Sequence, residues 1–253
     1  MNGIPTLELR GVFKSFGSVR ALVDCGFEVQ DGEVMALVGD NGAGKSTLIK
    51  CAAGIQSIDA GEIYFDGSLV HLRGPNDAAR LGVEVVYQDL ALADNLDVVQ
   101  NMYLGRELHN RMQLLNESQM RKTTEQVMAD LGVTTLRSVR QRVATLSGGQ
   151  RQSVAVARAV LWNSRVVVLD EPTAALGVVQ TEQVLALVKR LAAQGLAVVL
   201  VSHNLNDVFQ VADRITVLHL GRNAGVFERA TTSQEEIVLA ITTGNRAQPT
   251  GGP

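Results

Sequence analysis

Val34-Met-Ala-Leu-Val38 is an apolar run of strand length that stops at Gly39, and the residues from Asp40 to Thr47 leave few folds open to the chain. Gly39, Gly44, Lys45 and Ser46 fit the pattern G-x-x-x-x-G-K-[ST] without a mismatch. Glycines without Cβ let consecutive peptide N–H groups curl round phosphate oxygens at a helix N-terminus, whose dipole adds positive charge. Lys45 would reach the β- and γ-phosphates and Ser46 would put its hydroxyl on Mg²⁺. The N–H groups of Asn41, Gly42 and the residues up to Thr47 would hold the α- and β-phosphates. The setting agrees, since Val34 to Val38 reads as a buried strand and Ser46 to Ala53 as a helix.

At 253 residues the chain can bury a full α/β core, and one domain with an insertion is more economical than two. With 46% hydrophobic residues and a net charge of -3, it is neither disordered nor basic enough to capture nucleic acid. No apolar run approaches bilayer length, and Met1 to Pro5 lacks a basic and apolar signal region. The expectation is a protein that stays in the cytosol and meets a membrane only through a partner. Cys25 and Cys51 stand outside any C-x-x-C spacing, so reduced core thiols are expected rather than a disulfide or zinc site.

Thr6 to Val12 alternates as a strand with one wet face, Phe27 and Val29 belong to its partner, and Gly61 to Gly67 is a short strand closed by a turn. Phe16, between the first two, has two readings: a ring stacked on a purine base, or a ring buried between strands. Gly82 to Gln88 is a further buried strand whose end is marked by Gln88, either a loop residue or a ligand of Mg²⁺ or water. From Asp89 to Leu146 strand signals vanish and a helical pattern takes over. Asn116-Glu-Ser-Gln119 reads as a capping box for a helix that buries Met120, Val127, Met128 and Leu131 and stops at Gly132. Most of the methionines Met102, Met112, Met120 and Met128 read as helix-core filler.

Leu146-Ser-Gly-Gly-Gln150 opens another helix. Ser147 is a good N-cap, yet Gly148 and Gly149 behind it also expose helix N–H groups as a second anion site. Arg165 to Pro172 is a buried strand ending in Asp170 and Glu171. Nothing in folding requires two carboxylates there, where open α/β sheets collect ligands, so Asp170 is expected to support Mg²⁺ and Glu171 to orient a water. Leu196 to His203 is a strand with His203 at its end, a core histidine or a site residue. His71, His109 and His219 have no such setting. Strands over Arg214 to His219 and Gly225 to Phe227, an amphipathic stretch from Ser233 to Thr243 and a frayed tail from Gly244 complete the reading.

With Gly39 to Thr47, Gln88, Leu146 to Gln150, Val166 to Pro172 and His203 in this order, the chain resembles the ATP-binding subunit of an ABC transporter over residues 6–243. The resemblance implies an α/β P-loop NTPase cassette: a RecA-like core with an antiparallel β region, a helical subdomain inserted over residues 88–160, and a flexible tail at 244–253. It implies a head-to-tail pair, in which two ATPs lie between the P-loop of one copy and Ser147, Gly148, Gly149 and Gln150 of the other. It further implies that Gln88 senses Mg²⁺ and faces a permease, that His203 contacts the γ-phosphate, and that Glu171 is the catalytic base or water-positioner. Peripheral attachment to the cytoplasmic face of the plasma membrane follows, as does an indirect link to a solute-binding protein.

The stretches Val85 to Ala91, Glu171 to Gly177 and Val201 to Asn206 resemble the bacterial importers of ribose, xylose and fructose. One departure from the wider family is Gly177, where most members carry Asp in the loop linking the two ATP sites. A DNA- or ribosome-associated relative would need a coiled-coil insertion, a second cassette or a basic face, and the sequence has none of these.

Overall fold

A strand buried at every position must be covered on both faces and paired on both edges, and β3 (Val34–Gly39) is such a strand. The computed structural model describes residues 3–245. In it β3 is central to a sheet ordered β10-β9-β3-β8-β7-β6, built with β6 (Val83–Val86), β7 (Val166–Asp170), β8 (Ala197–Val201), β9 (Arg214–His219) and β10 (Arg222–Glu228). All neighbours are parallel except β10, which returns antiparallel to β9. A second, antiparallel sheet of order β2-β1-β4-β5 comprises β1 (Leu7–Phe16), β2 (Val19–Val29), β4 (Ala60–Phe65) and β5 (Ser68–Val70).

Three apolar clusters hold these layers. The first fills the space between the sheets, where Leu9, Val12 and Phe27 meet Met35, Leu37 and Val199, with Leu48 and Ile49 of α1 (Lys45–Ala52) among them. The second covers the other face: Val167, Leu169 and Leu200 pack on Val154 and Val156 of α5 (Gly148–Val160) and on Leu187 and Val188 of α6 (Val178–Ala193). It runs without interruption into α3 (Val98–Tyr103) and α4 (Glu117–Asp130), through Met102, Tyr103, Met120 and Met128. The third joins β9 and β10 to α7 (Leu205–Val211) and α8 (Gln234–Thr243) through Val208, Ile215, Phe227 and Ile237. The six-residue α2 (Pro75–Arg80) packs on β6.

Several boundaries differ from the sequence reading. The segment from Asp89 to Leu146 holds less helix than its pattern suggests, because residues 104–116 leave Leu104, Met112, Leu114 and Leu115 exposed and so have no apolar stripe to bury. Asn110 closes that stretch into a turn, its side chain accepting from the N–H groups of Met112 and Leu114 at 2.9 and 3.0 Å. The capping box at Asn116 is half made: Asn116 accepts from the Gln119 N–H, but the Gln119 amide turns to Thr123 instead of reaching back. Met112 is exposed while Met102, Met120 and Met128 are core, and β10 starts three residues before Gly225 and ends one after Phe227. Cys25 and Cys51 are buried free thiols, and burial pushes the Cys51 thiol up to about 11. Gly244 caps α8 in the left-handed region, and the rest of the expected tail, residues 246–253, lies outside the described residues.

The turn between β9 and β10 ties the two sheets to the loop after β3. Gly221 donates its N–H to the Ala43 carbonyl at 3.0 Å, and its own carbonyl accepts from Val23 N–H at 2.7 Å and from the Cys25 thiol at 2.8 Å. Its φ is +77° and a Cβ there would lie 2.7 Å from the Ala21 carbonyl oxygen. Gly221→Ala is therefore expected to lower the unfolding free energy by about 1–3 kcal/mol, the usual cost of forced backbone strain. Denaturant unfolding measures it, and a variant as stable as the parent would show that the turn relaxes freely.

Candidate functional site

Four neighbouring parallel strands end at one edge of the six-stranded sheet, and each end carries a residue singled out in the sequence. The loop from Gly39 to Gly44 follows β3, His203 follows β8, Asp170 and Glu171 close β7, and Gln88 follows β6. Registers such as Asp170↔Val201 and Leu37↔Val201 put these ends at a common level. This carboxyl edge is where ligands of open α/β sheets gather.

The loop is shaped by its glycines. A Cβ on Gly39 would collide with the Leu218 carbonyl, and one on Gly44 would stand 2.8 Å from the Ala21 carbonyl oxygen. Gly44 is also the N-cap of α1 and supplies no side-chain cap, so the first-turn N–H groups of Lys45, Ser46 and Thr47 face the loop without a side-chain acceptor. Asn41, Gly42 and Ser46 are exposed, whereas Ala43 is buried. The Lys45 ammonium crosses the loop and donates to the Gly39 carbonyl at 2.7 Å and the Asp40 carbonyl at 3.0 Å.

Burial pushes the Asp170 carboxyl above its ordinary value, Glu171 adds to this, and Lys45 and Lys50 pull the other way. Two acids and a lysine therefore share one electrostatic neighbourhood. Glu171 has φ +51°, a strained conformation for a non-glycine residue, and its Oε2 lies 2.8 Å from His203 Nδ1. The Tyr87 hydroxyl is buried without a protein partner, and burial followed by Asp170 raises its pKa. Gln88 is exposed just outside β6. Phe16 ends β1 and is 45% exposed, so it is not a core ring, and the Lys14 ammonium lies 5.6 Å from its centroid.

Ser147, Gly148, Gly149 and Gln150 do not join this group. They sit at the start of α5, which packs on α3, α4, α6 and β6, while α1 packs on β2 and β3. Ser147 and Gln150 form a complete capping box, and the Gln150 amide also donates to the Thr135 carbonyl at 2.7 Å. Both ends of Gln150 thus serve the loop's own shape. Gly148 and Gly149 pack under Leu176 and Gln180. His219, set aside in the sequence, binds the Ile241 carbonyl through Nδ1 at 2.7 Å.

Two contacts had no signal in the sequence. Thr173 donates to Asp207 at 2.6 Å, and Arg151 binds Asp94 at 2.7 Å beside the Ser147 loop. Each joins segments far apart in the chain, and although Thr173 falls within Glu171 to Gly177, no local pattern marks either pairing.

A phosphate-cradling loop, a lysine and a carboxylate pair on the carboxyl edge of a parallel sheet define a P-loop nucleotide hydrolase. The chain belongs to the ABC transporter family, whose model matches residues 22–174. ATP is its nucleotide and ATP hydrolysis its chemistry. It is 43% identical over 251 residues to the fructose import ATP-binding protein of Rhizobium meliloti, covering 97% of this chain and 96% of that one. It is 44% identical over 236 residues to the xylose/arabinose import ATP-binding protein of Sulfolobus acidocaldarius, covering 93% of each. A ribose import ATP-binding protein of Burkholderia cenocepacia is 41% identical over 232 residues, 92% of this chain but 46% of that longer protein. Among solved structures, a nucleotide-free ATP-binding cassette from an ABC transporter superposes with TM-score 0.79 at 23% identity, covering 94% of this chain and 95% of that one. A dimeric ABC transporter cassette gives 0.74 at 24% identity, covering 88% and 98%. These likenesses fix the fold.

Two expectations follow from the geometry. Asp170 has its charged form disfavoured in the folded state, so it destabilises the fold above its raised pKa and is neutral to stability below the unfolded value. Asp170→Asn should therefore melt higher than the parent at neutral pH, with the gap closing as pH falls through the carboxylate range. A lower melting temperature at pH 7 would contradict the assigned cause. Gly177 has φ -75° and open space where a Cβ would stand, and it is the N-cap of α6. Gly177→Asp should thus gain a few tenths of a kcal/mol in thermal unfolding, since Asp is the better cap, and leave ATP affinity of the isolated chain unchanged by calorimetry. A loss of stability would show that the loop needs glycine.

Proposed function

We propose that this chain is the ATP-hydrolysing subunit that drives import of a monosaccharide through a separate membrane permease. The observation that carries the hydrolytic part is the gathering of Lys45, Asp170, Glu171 and His203 at one sheet edge. The solute class rests on relatives whose names specify fructose, xylose/arabinose and ribose import. Among the described residues no helix is long and apolar enough to cross a membrane. In this reading, drawn from the import relatives, the chain works on a permease at the cytoplasmic face. A solute-binding protein would act on the far side of that permease.

In this reading residues 6–243 form one cassette, with residues 88–160 as its inserted helical part and a tail after Thr243. The N–H groups from Asn41 to Thr47 hold the α- and β-phosphates, Lys45 leaves the Gly39 and Asp40 carbonyls for the β- and γ-phosphates, and Phe16 stacks on the base. Glu171 orients the attacking water and accepts its proton, and His203, already on Glu171, meets the γ-phosphate. The half-buried Asp170 stands beside Glu171 and within the field of Lys45, whose chain neighbour is Ser46, and a carboxylate with a hydroxyl is an oxygen donor set that suits Mg²⁺. Ser46, Asp170 and Gln88 would hold that ion, which when bound neutralises charge on the β- and γ-phosphates.

Ser147 and Gly149 then serve a second copy, completing its site across a head-to-tail pair. A cavity of about 250 Å³ opens beside β6 between Glu84, Met102, Arg106, Arg158 and Trp162, close in sequence to Gln88. It is the place assigned to the permease.

The test is co-purification with the neighbouring permease, followed by ATP-driven uptake of labelled ribose, xylose and fructose into vesicles. Glu171→Gln should lower turnover by about 100-fold or more, the scale of a lost general base, while ATP affinity is retained. Lys45→Ala should lose both. Uptake of none of these sugars by an active complex would remove the solute class, and full turnover by Glu171→Gln would remove the assigned chemistry.

A further inference from the structure

Glu171 has to stand at a fixed place, yet the chain that carries it has no regular structure. Residues 171–177 leave β7 through two left-handed positions, Glu171 at φ +51° and Ala175 at φ +61°. Inside the segment Ala174 N–H donates to the Glu171 carbonyl at 3.1 Å and Leu176 N–H to the Thr173 carbonyl at 3.2 Å. Those bonds shape the turn without attaching it to anything. Its backbone attachment is the Glu171 N–H on the Val201 carbonyl at 2.9 Å, which extends the ladder between β7 and β8 by one rung. Between that bond and the first turn of α6, which Gly177 caps, no further backbone hydrogen bond among the described residues ties the segment to another element, so its position depends on side chains.

The second attachment is a side-chain bond. The Thr173 hydroxyl donates to Asp207 Oδ2 at 2.6 Å, the length of a charge-assisted O–H···O⁻ bond. Asp207 is 5% exposed and sits in the first turn of α7, whose N-cap Asn204 directly follows His203. The bond therefore joins the same two segments as the Glu171–His203 pair. The two rungs differ in setting: in the outer one the His203 side chain is 72% exposed against a partly buried Glu171, and in the inner one Asp207 is buried against a partly buried Thr173. A contact made through an exposed imidazole competes with water and holds its partners weakly, whereas a hydrogen bond to a buried carboxylate is costly to break. The inner rung is the one able to set the spacing of the outer rung.

We propose that Thr173 and Asp207 are positioning residues that hold Glu171 opposite His203, acting through the Thr173–Asp207 hydrogen bond. The inference rests on the reading of Glu171 as the group that orients water. Thr173 touches neither nucleotide nor water in this scheme. Its removal frees the turn to pivot and moves Glu171 away from the imidazole.

Two readouts on the full chain separate this from a plain loss of packing. Thr173→Val retains the β-branch and lacks the hydroxyl. In the permease complex it should lower kcat about tenfold or more, in line with the cost of small misplacement at a reacting centre, with ATP affinity within about twofold. Thr173→Ser, which restores the donor, should recover both values to within about twofold. On the nucleotide-free chain, the ¹⁵N resonance of His203 Nδ1 should move in Thr173→Val toward its position in Glu171→Ala, where the contact is absent, and return in Thr173→Ser. If Thr173→Val does not fold, Asp207→Asn, which retains an acceptor without its charge, should give the same displacement in smaller measure. An unmoved His203 resonance overturns the proposal, whether turnover is normal or falls together with melting temperature. Full turnover in Glu171→Gln would instead overturn the role of Glu171, and the resonance, which needs no turnover, would still report on the tie.

Discussion

The parallel ladder through β3, β8, β7 and β6 fixes the level at which four strands stop, and Lys45, Gln88, Asp170, Glu171 and His203 all depend on that level. Backbone hydrogen bonds between parallel strands are evenly spaced, so a slip of one residue would turn each side chain to the opposite face. Apolar side chains prevent the slip: Leu37, Val201 and Leu169 are fully buried on one face or the other. Hydrophobic burial thus sets the register, the register sets the edge, and the edge brings residues more than a hundred positions apart in the chain, such as Lys45 and Asp170, into one electrostatic neighbourhood.

That edge is unfavourable to the fold by itself. It holds a half-buried Asp170 whose charge burial disfavours, a Glu171 in a left-handed backbone well, and a buried Tyr87 hydroxyl without a protein partner. Each would be removed by selection for stability alone. The surrounding structure compensates with apolar packing on both faces of the sheet and with ion pairs away from the edge, as where Arg214 holds Glu33 at 2.6 Å and Glu28 at 2.8 Å. The cost and the compensation lie in different parts of the molecule, which lets the edge remain polar.

What could be read from the sequence was what local pattern dictates. Val34–Gly39 and Val166–Asp170 are recognisable because an apolar run must be buried, and a polar residue at its end has no packing reason to be there. Ser147 announces a helix because its side chain satisfies a donor three residues on, and the amphipathic pattern after Ser233 marks another, whose cap the structure adds. The stretch from Leu104 to Asn116 misled, since scattered apolar residues suggest helix until exposure shows that no stripe exists. The Thr173–Asp207 bond spans 34 positions and the Gly221 contacts with Val23 and Cys25 span about 200, so neither leaves a periodicity to detect. Phe16 was legible as an aromatic near a phosphate loop, but its exposure at the end of β1 needed the paired partner Val19 to be known.

The turn at Leu220 and Gly221 looks like ordinary surface, with Leu220 74% exposed. Exposed hairpin tips are where tags, inserted domains and new termini are usually tolerated. Here one residue, Gly221, is shared between the phosphate loop through its N–H and the antiparallel sheet through its carbonyl, so lengthening the tip by even one residue would withdraw the Ala43 carbonyl's partner and loosen the nucleotide cradle. Anyone attaching a reporter to this protein would do better at Met112, in the exposed stretch of residues 104–116, than at this tip.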